Sequence, residues 1–159
     1  MAQIITCINA GIYALTRGRQ YDLLAHDAEK QQVRVRADLG RCRWFPDYHF
    51  DMSGGTVPIL EAWRFDDPVV DTLNGRDETN NWVDVRLQFD DGTLRWCQMA
   101  TPNYLKSLLD NIEPMVYSKH LIVVRDLATA TVEQVLRYMN QQGELIDFSL
   151  PLDKSEKLE

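Results

Sequence analysis

Three histidines, three cysteines and two Asp-Asp pairs are the groups in this 159-residue chain whose chemistry could support catalysis. His26 adjoins Asp27 in a polar stretch, His49 follows Tyr48, and His120 precedes the apolar run Leu121-Ile122-Val123-Val124. No two histidines fall at a ligand spacing and Cys7, Cys42 and Cys97 form no Cys-x-x-Cys, so neither a zinc cage nor a disulfide framework is signalled. A thiol nucleophile with its base would require Cys97 and His120 to meet across neighbouring strands. Alternation instead assigns Cys97 to the polar face of its hairpin, beside Met99. Asp66-Asp67 and Asp90-Asp91 are the carboxylate pairs that a hydrolase would divide into acid and base. Both flank turn residues, where aspartate accepts hydrogen bonds from its own backbone, and the turn reading is preferred. Dinucleotide, phosphate-loop and Gly-x-Ser-x-Gly motifs are missing. The expectation is a protein without a catalytic centre, cofactor or metal site; an enzyme with a site between domains is the last alternative.

Binding chemistry is better represented. Arg34, Arg36, Arg41 and Arg43 lie on two adjoining strands, and alternation places at least Arg34 and Arg36 on one face near Trp44 or Tyr48. Cations beside aromatic rings are what single-stranded nucleic acid requires for phosphate contact and base stacking. The competing expectation is a solvated face partly neutralised by Glu29, Asp38 or the acidic second half. Trp96 is assigned to the core, whereas Trp82 alternates with the apolar residues of its strand and becomes a binding anchor unless residues 67–81 cover it.

The elements that position these residues follow from periodicity. Val33 and Val35 alternate with Arg34 and Arg36, Asp38-Leu39-Gly40 forms a three-residue turn, and the chain returns through Arg41–Phe45 until Pro46 stops it. With strands at Gln3–Asn9, Gln20–Ala25 and Phe50–Met52, and a polar loop at His26–Gln32, the first 53 residues read as a small β-barrel or sandwich. Met52-Ser53-Gly54-Gly55-Thr56 is a hinge. Beyond it, Ile59–Phe65 is a strand, and Val83, Val85, Leu87 and Phe89 lead into a two-residue Asp91-Gly92 turn that returns Leu94 and Trp96 opposite Phe89 and Leu87. A helix follows from Pro102, capped by Thr101, with Tyr104, Leu105, Leu108, Leu109 and Ile112 on its apolar stripe. His120–Val124 reads as a strand buried on both faces. A second helix is capped by Thr131 with Gln134 and stopped by Gly143, and Leu145–Leu150 closes the fold as a strand. The expected class is α+β: a barrel at 1–53, a domain at 57–150 with two helices on a mainly antiparallel sheet, and a charged tail at 151–159.

The composition, 45% hydrophobic and 26% charged, is that of a globular protein. Its net charge of −7 is unevenly spread: residues 1–50 hold seven basic and five acidic side chains, the remainder ten and nineteen. The acidic half therefore favours a basic or neutral protein partner over phosphate or an anionic membrane. No apolar run spans a bilayer and the N-terminus lacks a leader pattern, which implies a cytoplasmic protein. The sequence is silent on oligomeric state.

Two resemblances extend this reading. The turn Gly18-Arg19-Gln20-Tyr21, the tip Asp38-Leu39-Gly40 and the corner Trp44-Phe45-Pro46-Asp47-Tyr48-His49-Phe50 together resemble the Src-homology-three barrel. That resemblance implies a closed barrel in which Pro46 and Tyr48 line a groove for proline-rich peptides. The second half resembles a group of bacterial toxin-immunity proteins in its polar-turned hairpin, Ala100-Thr101-Pro102, His120-Leu121-Ile122-Val123-Val124 and closing helix. It implies an inhibitor of a basic, nuclease-like toxin, with Asp66, Asp67, Asp77, Glu78, Asp90 and Asp91 supplying charge and Trp82 an anchor. The leading expectation is a non-enzymatic protein-binding module, the alternative nucleic-acid binding through the arginine face.

Overall fold

The computed structural model describes residues 2–66, 78–111, 114–116 and 118–152. It forms two compact units, one running up to Ile59 and including Met139–Glu144, the other comprising Leu60–Tyr138 and the chain from Leu145. Asp67, Asp77, Ile112 and the charged tail beyond residue 152 lie outside the described residues.

In the first unit, β1 (Ile4–Cys7) pairs antiparallel with β2 (Gln20–Asp22) and β6 (Phe50–Asp51). A second three-stranded sheet has the order β3 (Ala25–Asp27), β4 (Gln32–Arg36), β5 (Cys42–Pro46). The two sheets do not close into one barrel among the described residues. The expected strand at Gln20–Ala25 instead changes sheets at its middle: the Leu23 N–H donates to the Gln3 carbonyl at 2.8 Å and the Leu24 N–H to the Arg34 carbonyl at 2.9 Å. Consecutive residues thus bond opposite sheets, which makes a corner. It also turns residues 26 and 27 of the anticipated loop into strand. Ile5, Cys7, Tyr21, Val33, Val35, Phe45 and Phe50 fill the space between the sheets.

The hairpin β4–β5 has the three-residue tip its sequence implies. The Gly40 N–H donates to the Ala37 carbonyl at 2.8 Å and the Ala37 N–H to Arg41 at 2.9 Å, with Gly40 at φ 82°. That conformation is open to glycine at no steric cost. A one-turn 3-10 helix, Asp47–His49, then joins β5 to β6. Arg17 is buried and carries its charge among neutral acceptors: the Ile8 carbonyl at 3.2 Å, the Asn140 amide oxygen at 3.3 Å and the Pro58 carbonyl. Gln141 adds its side-chain oxygen to the Arg17 N–H at 3.0 Å and its carbonyl to the Ala10 N–H at 2.8 Å.

The second unit is a five-stranded sheet with helices, so the chain as a whole is α+β. The order is β10 (Leu121–Val123), β9 (Leu94–Ala100), β8 (Trp82–Phe89), β7 (Leu60–Phe65), with β11 (Leu150–Pro151) also paired to β9. Only β10 on β9 is parallel. Helix α1 spans Pro102–Asn111, α2 Thr129–Gln141 and the short α3 Leu145–Phe148. Val83, Val85, Leu87 and Phe89 point into a core with Cys97, Met99, Leu127, Val132 and Leu136, each of them 5% exposed or less. A side chain of that size removed from water contributes roughly 1.5–3 kcal/mol.

Several local elements differ from what the sequence implies. The β8–β9 tip is a three-residue loop, Asp90-Asp91-Gly92, closed by Gly92 N–H to Phe89 carbonyl (3.0 Å) and Phe89 N–H to Thr93 carbonyl (3.0 Å). The register therefore sets Cys97 against Val85 and Trp96 against Arg86. A one-residue change exchanges the faces, so Cys97 and Met99 are core and Trp96 lies on the opposite side. Strand β10 is an edge strand with Val123 55% exposed, not a strand buried on both faces. Thr101 does not cap α1, because its buried hydroxyl accepts the Asn81 N–H at 3.1 Å. Helix α2 begins two residues before Thr131, where Asp126 receives the Ala128 N–H at 3.1 Å. The closing strand shrinks to two residues because 145–148 turn helical, Ser149 Oγ donating to the Leu145 carbonyl at 2.7 Å. Among the described residues no helix is long and apolar enough to cross a membrane.

Candidate functional site

The residues expected to bind do not gather in one place. Alternation on β5 sends Trp44 to one side and Phe45 with Arg43 to the other. On the outward face Arg34 stands directly across from Trp44 and Arg36 across from Cys42. Trp44 is 46% exposed there, and Arg36 is tethered to the Gly40 carbonyl at 3.3 Å. On the other side, where the core of the first unit meets solvent, Arg43 and Arg41 follow the line of Phe45.

That second side opens as a groove of about 260 Å³. Its floor is Tyr13, Ala14, Ala37 and Phe45, and its rim includes Leu39, Arg41 and Arg43, with an edge of Trp44. Tyr13 packs edge-on to Phe45 with centroids 5.2 Å apart and to His49 at the same separation. His49 is buried, and its Nδ1 lies 2.7 Å from the Asn9 carbonyl oxygen. A carbonyl only accepts, so that nitrogen donates and the ring is a structural post for Tyr13. Ile12 (96% exposed) and Leu39 (82% exposed) leave two aliphatic side chains in water at the groove's edge. Pro46 and Tyr48 do not line it: Pro46 ends β5 opposite Gln32, and the exposed Tyr48 leans on His49 at 4.4 Å on the 3-10 turn.

The neutralisation expected of Asp38 does not occur. Asp38 accepts from the Thr16 hydroxyl at 2.6 Å, the Tyr21 hydroxyl at 2.7 Å and Arg19 at 2.9 Å. Its lone pairs are spent on pinning the turn. Among the described residues Arg34, Arg36, Arg41 and Arg43 have no carboxylate partner, and Glu29 is paired with none of them. All four are exposed.

Asp66, Asp91 and Trp82, three of the candidates of the second unit, are already engaged. Asp66 meets Arg86 at 2.5 Å. Asp91 accepts the Thr93 N–H at 2.9 Å, and bonds to Thr93 hold its carboxyl below the usual carboxylate range. Trp82 is half-buried and packs edge-on to Tyr104 at 6.5 Å, so it is covered by α1 rather than free as an anchor. Trp63 donates its indole N–H to Glu133, and that bond, more than the nearby Arg137, lowers the Glu133 pKa.

Nucleophile chemistry has little support in the geometry. Burial pushes the Cys97 thiol up to about 12, with Asp84 adding to it, and the Cys7 thiol up to about 11. No hydrogen bond joins Cys97 to His120, whose Nδ1 faces the Phe148 carbonyl at 3.2 Å. Among the described residues no group of three or more His, Cys, Asp and Glu is placed to hold a metal ion. A thiol-reactive probe at pH 8 should consequently label Cys42 alone in the native protein and all three cysteines after denaturation, as mass spectrometry of intact chains would count. Labelling of native Cys97 would restore the thiol reading.

Comparison with family models, with curated proteins and with solved structures finds no match to this chain. The groove and the arginine-tryptophan face therefore carry the functional reading by themselves.

Sequence reasoning missed Tyr13, Ile12 and Leu39. They lie in turns, where no periodicity marks a buried or a presented face. One signal was available: Gly11-Ile12 and Leu39-Gly40 set a large aliphatic residue beside a turn glycine, where no core can receive it.

Proposed function

We propose that this chain is a non-enzymatic protein-binding module whose contact surface is the aromatic groove of the first unit. The observation that carries this reading is the gathering of four of the eleven exposed large apolar side chains among the described residues, Ile12, Leu39, Tyr13 and Trp44, around one concavity, with Ile12 and Leu39 the two most exposed of all. Apolar and aromatic anchors in a pocket with a charged rim are the usual anatomy of a binding hot spot. The Src-homology-three likeness belongs to the same reading. Two three-stranded sheets joined at the corner between β2 and β3, and a 3-10 turn before β6, support it, while the closure of the two sheets into one barrel does not occur among the described residues. In a barrel of that kind the residues at risk of exposure are those of the loops around the groove.

The inhibitor version places the contact on the second unit instead, through Asp66, Asp67, Asp90 and Asp91. Its support is weaker, since Asp66 is already held by Arg86 and Asp91 by its own turn. Nucleic-acid binding is the second reading, favoured by one observation: Arg34 and Trp44 stand side by side on an open strand face.

A photoactivatable residue separates these readings. Placed at position 39 and irradiated in the native cell, it should trap one protein, while the same group at Thr93, also an exposed turn position but in the second unit, should trap none. A protein trapped from position 93 alone would move the contact to the acidic unit. A nuclease-sensitive adduct would establish the nucleic-acid reading, and no adduct from either position would remove the groove from consideration.

A further inference from the structure

We infer that the groove takes an acidic, extended peptide segment of the partner, an apolar side chain filling the cavity and carboxylates flanking it on Arg41 and Arg43. This rests on the protein-binding reading above and adds the chemistry of the ligand.

The inference starts from an imbalance. Of the seven basic side chains in the first fifty residues, Arg17 is buried among carbonyls, Arg19 is paired with Asp38 and Lys30 with Asp27. The remaining four are the hairpin arginines, and the one acid beside them in sequence, Asp38, is turned away to Thr16, Arg19 and Tyr21. A guanidinium presents a planar fork that matches a carboxylate with two parallel hydrogen bonds. Arg41 and Arg43 are two residues apart and share the side of Phe45, which puts their stems about 7 Å from one another along the chain. Alternate side chains of an extended peptide have that same spacing, so two carboxylates on the ligand's solvent-facing side come within reach of the long stems of Arg41 and Arg43 at the rim while the intervening apolar side chain points the other way, into the cavity.

Between and below them the floor is apolar. Tyr13 is held in place by its edge contacts with Phe45 and His49, so the cavity is formed before the ligand arrives. A volume of about 260 Å³ suits one aliphatic or aromatic side chain rather than a domain. Leu39 and Ile12, both largely in water, close over such a side chain and lose their exposure. The predicted recognition unit is therefore acidic–apolar–acidic in alternation. It is opposite in sign to the basic or neutral partner that the acidic half of the chain suggests.

A polyanion is disfavoured at this groove. A long nucleic acid would bring many phosphates against a chain whose net charge is −7, a repulsion that is strongest at low ionic strength and is screened beyond about 10 Å at 0.1 M salt. A short acidic segment brings only a few charges and places them on the arginines. The groove is also concave, and its floor rings Tyr13 and Phe45 stand edge-on to one another, whereas base stacking needs an open ring face such as Trp44 offers beside Arg34 on the outward strand face.

The test uses the full chain and a synthetic twelve-residue peptide alternating Glu or Asp with Leu and Phe, its binding followed by chemical-shift perturbation. A scrambled lysine-containing peptide, a proline-rich peptide and a twelve-nucleotide oligothymidine serve as competitors. Saturable shifts confined to residues 12–14 and 37–45, weakened at least about tenfold in the Arg41→Glu, Arg43→Glu double variant, are expected. Lys30→Glu, which changes charge in the same unit away from the groove, should alter affinity less than about twofold; a comparable loss there would show an unspecific charge effect and overturn the site. Both variants replace exposed residues, and circular dichroism verifies that they fold. Absence of saturable binding, binding unaffected by the double variant, or preference for the lysine-containing or proline-rich peptide each overturns the inference. Displacement of the peptide by oligothymidine with a steep salt dependence would overturn it in favour of nucleic acid. Should position 39 trap a protein in cells while the acidic peptide fails to bind, the binding-module reading stands and only the ligand chemistry falls.

Discussion

Replacing Gly143 with alanine is expected to destabilise the protein by about 2–5 kcal/mol, while the same change at Gly92 costs only about 1–2 kcal/mol. Both glycines hold a left-handed conformation, at φ 73° and φ 83°. An alanine there pays the Cβ-to-carbonyl crowding that makes this region costly for every L-residue with a side chain. At Gly92 nothing lies within 4 Å of the added carbon, so that cost stands alone. At Gly143 the added carbon overlaps the Ile8 carbonyl oxygen, which is backbone and cannot swing aside. That same carbonyl accepts from the buried Arg17 at 3.2 Å, and moving it disturbs the neutral cradle of a buried cation. Overpacking against a fixed group typically adds about 1–3 kcal/mol. Urea denaturation of the two variants measures the difference directly. Equal losses at the two positions would mean that Ile8 yields, and that residues 139–144 do not pack as closely on β1's end as the Cβ geometry requires.

Gly143 was legible as a helix stop but not as a packing residue. A terminating glycine is announced by local sequence, since α2's periodicity ends there; its contact is with a residue more than a hundred positions earlier, and nothing local encodes that. The same division runs through the fold. Val33, Val35 and their alternating arginines announced β4 because burial on one face repeats every second residue. The Pro102 start of α1 was legible because proline costs nothing at a helix's first position. The apolar run Leu121–Val123 misled because an edge strand and a central strand look alike when the hydrophobic count is read without neighbours. Leu145–Phe148 misled in the same way, a short apolar run fitting either strand or a single helical turn.

The binding surface was only half legible, for a reason rooted in charge pairing. Arginines on a strand face could be recognised from alternation; whether they are neutralised depends on where one aspartate turns. Asp38 sits within the turn that joins the two arginine-bearing strands, and its proximity in sequence suggested it as their partner. The segment that claims it, Thr16 to Tyr21, is brought over by β1–β2 pairing, a tertiary event. The Thr16 and Tyr21 hydroxyls then hold the Asp38 carboxylate where Arg19 reaches it, and a hairpin arginine would have to displace those bonds while ordering its own side chain. The groove's unpaired cations are the consequence.

The second large effect tests the register of β8 and β9. Met99→Ala should cost about 2–5 kcal/mol, and Gln98→Ala about 1 kcal/mol or less. Asp38-Leu39-Gly40 and Asp90-Asp91-Gly92 share an Asp-x-Gly pattern, and the structure gives them one geometry: glycine N–H to the residue three before, glycine at positive φ, and closure one residue later. A tip of three residues pairs Phe89 with Thr93 rather than Asp90 with Thr93. Every side chain of β9 thereby changes face relative to a two-residue tip. Met99 comes to lie opposite Val83 with no exposure, while Gln98 faces outward with Asp84, 3.3 Å from its carboxylate. Removing the Met99 side chain leaves a cavity among Val83, Val85 and their neighbours, whose lost contacts and lost burial add together. Removing that of Gln98 forfeits surface bonds to Asp84 and Ser118 that water can replace. In the two-residue register the roles reverse, with Gln98 opposite Val85 in the core. Denaturation midpoints in which Gln98→Ala is the more damaging change would show that the slipped register is the real one, and Cys97 would return with it to an accessible face.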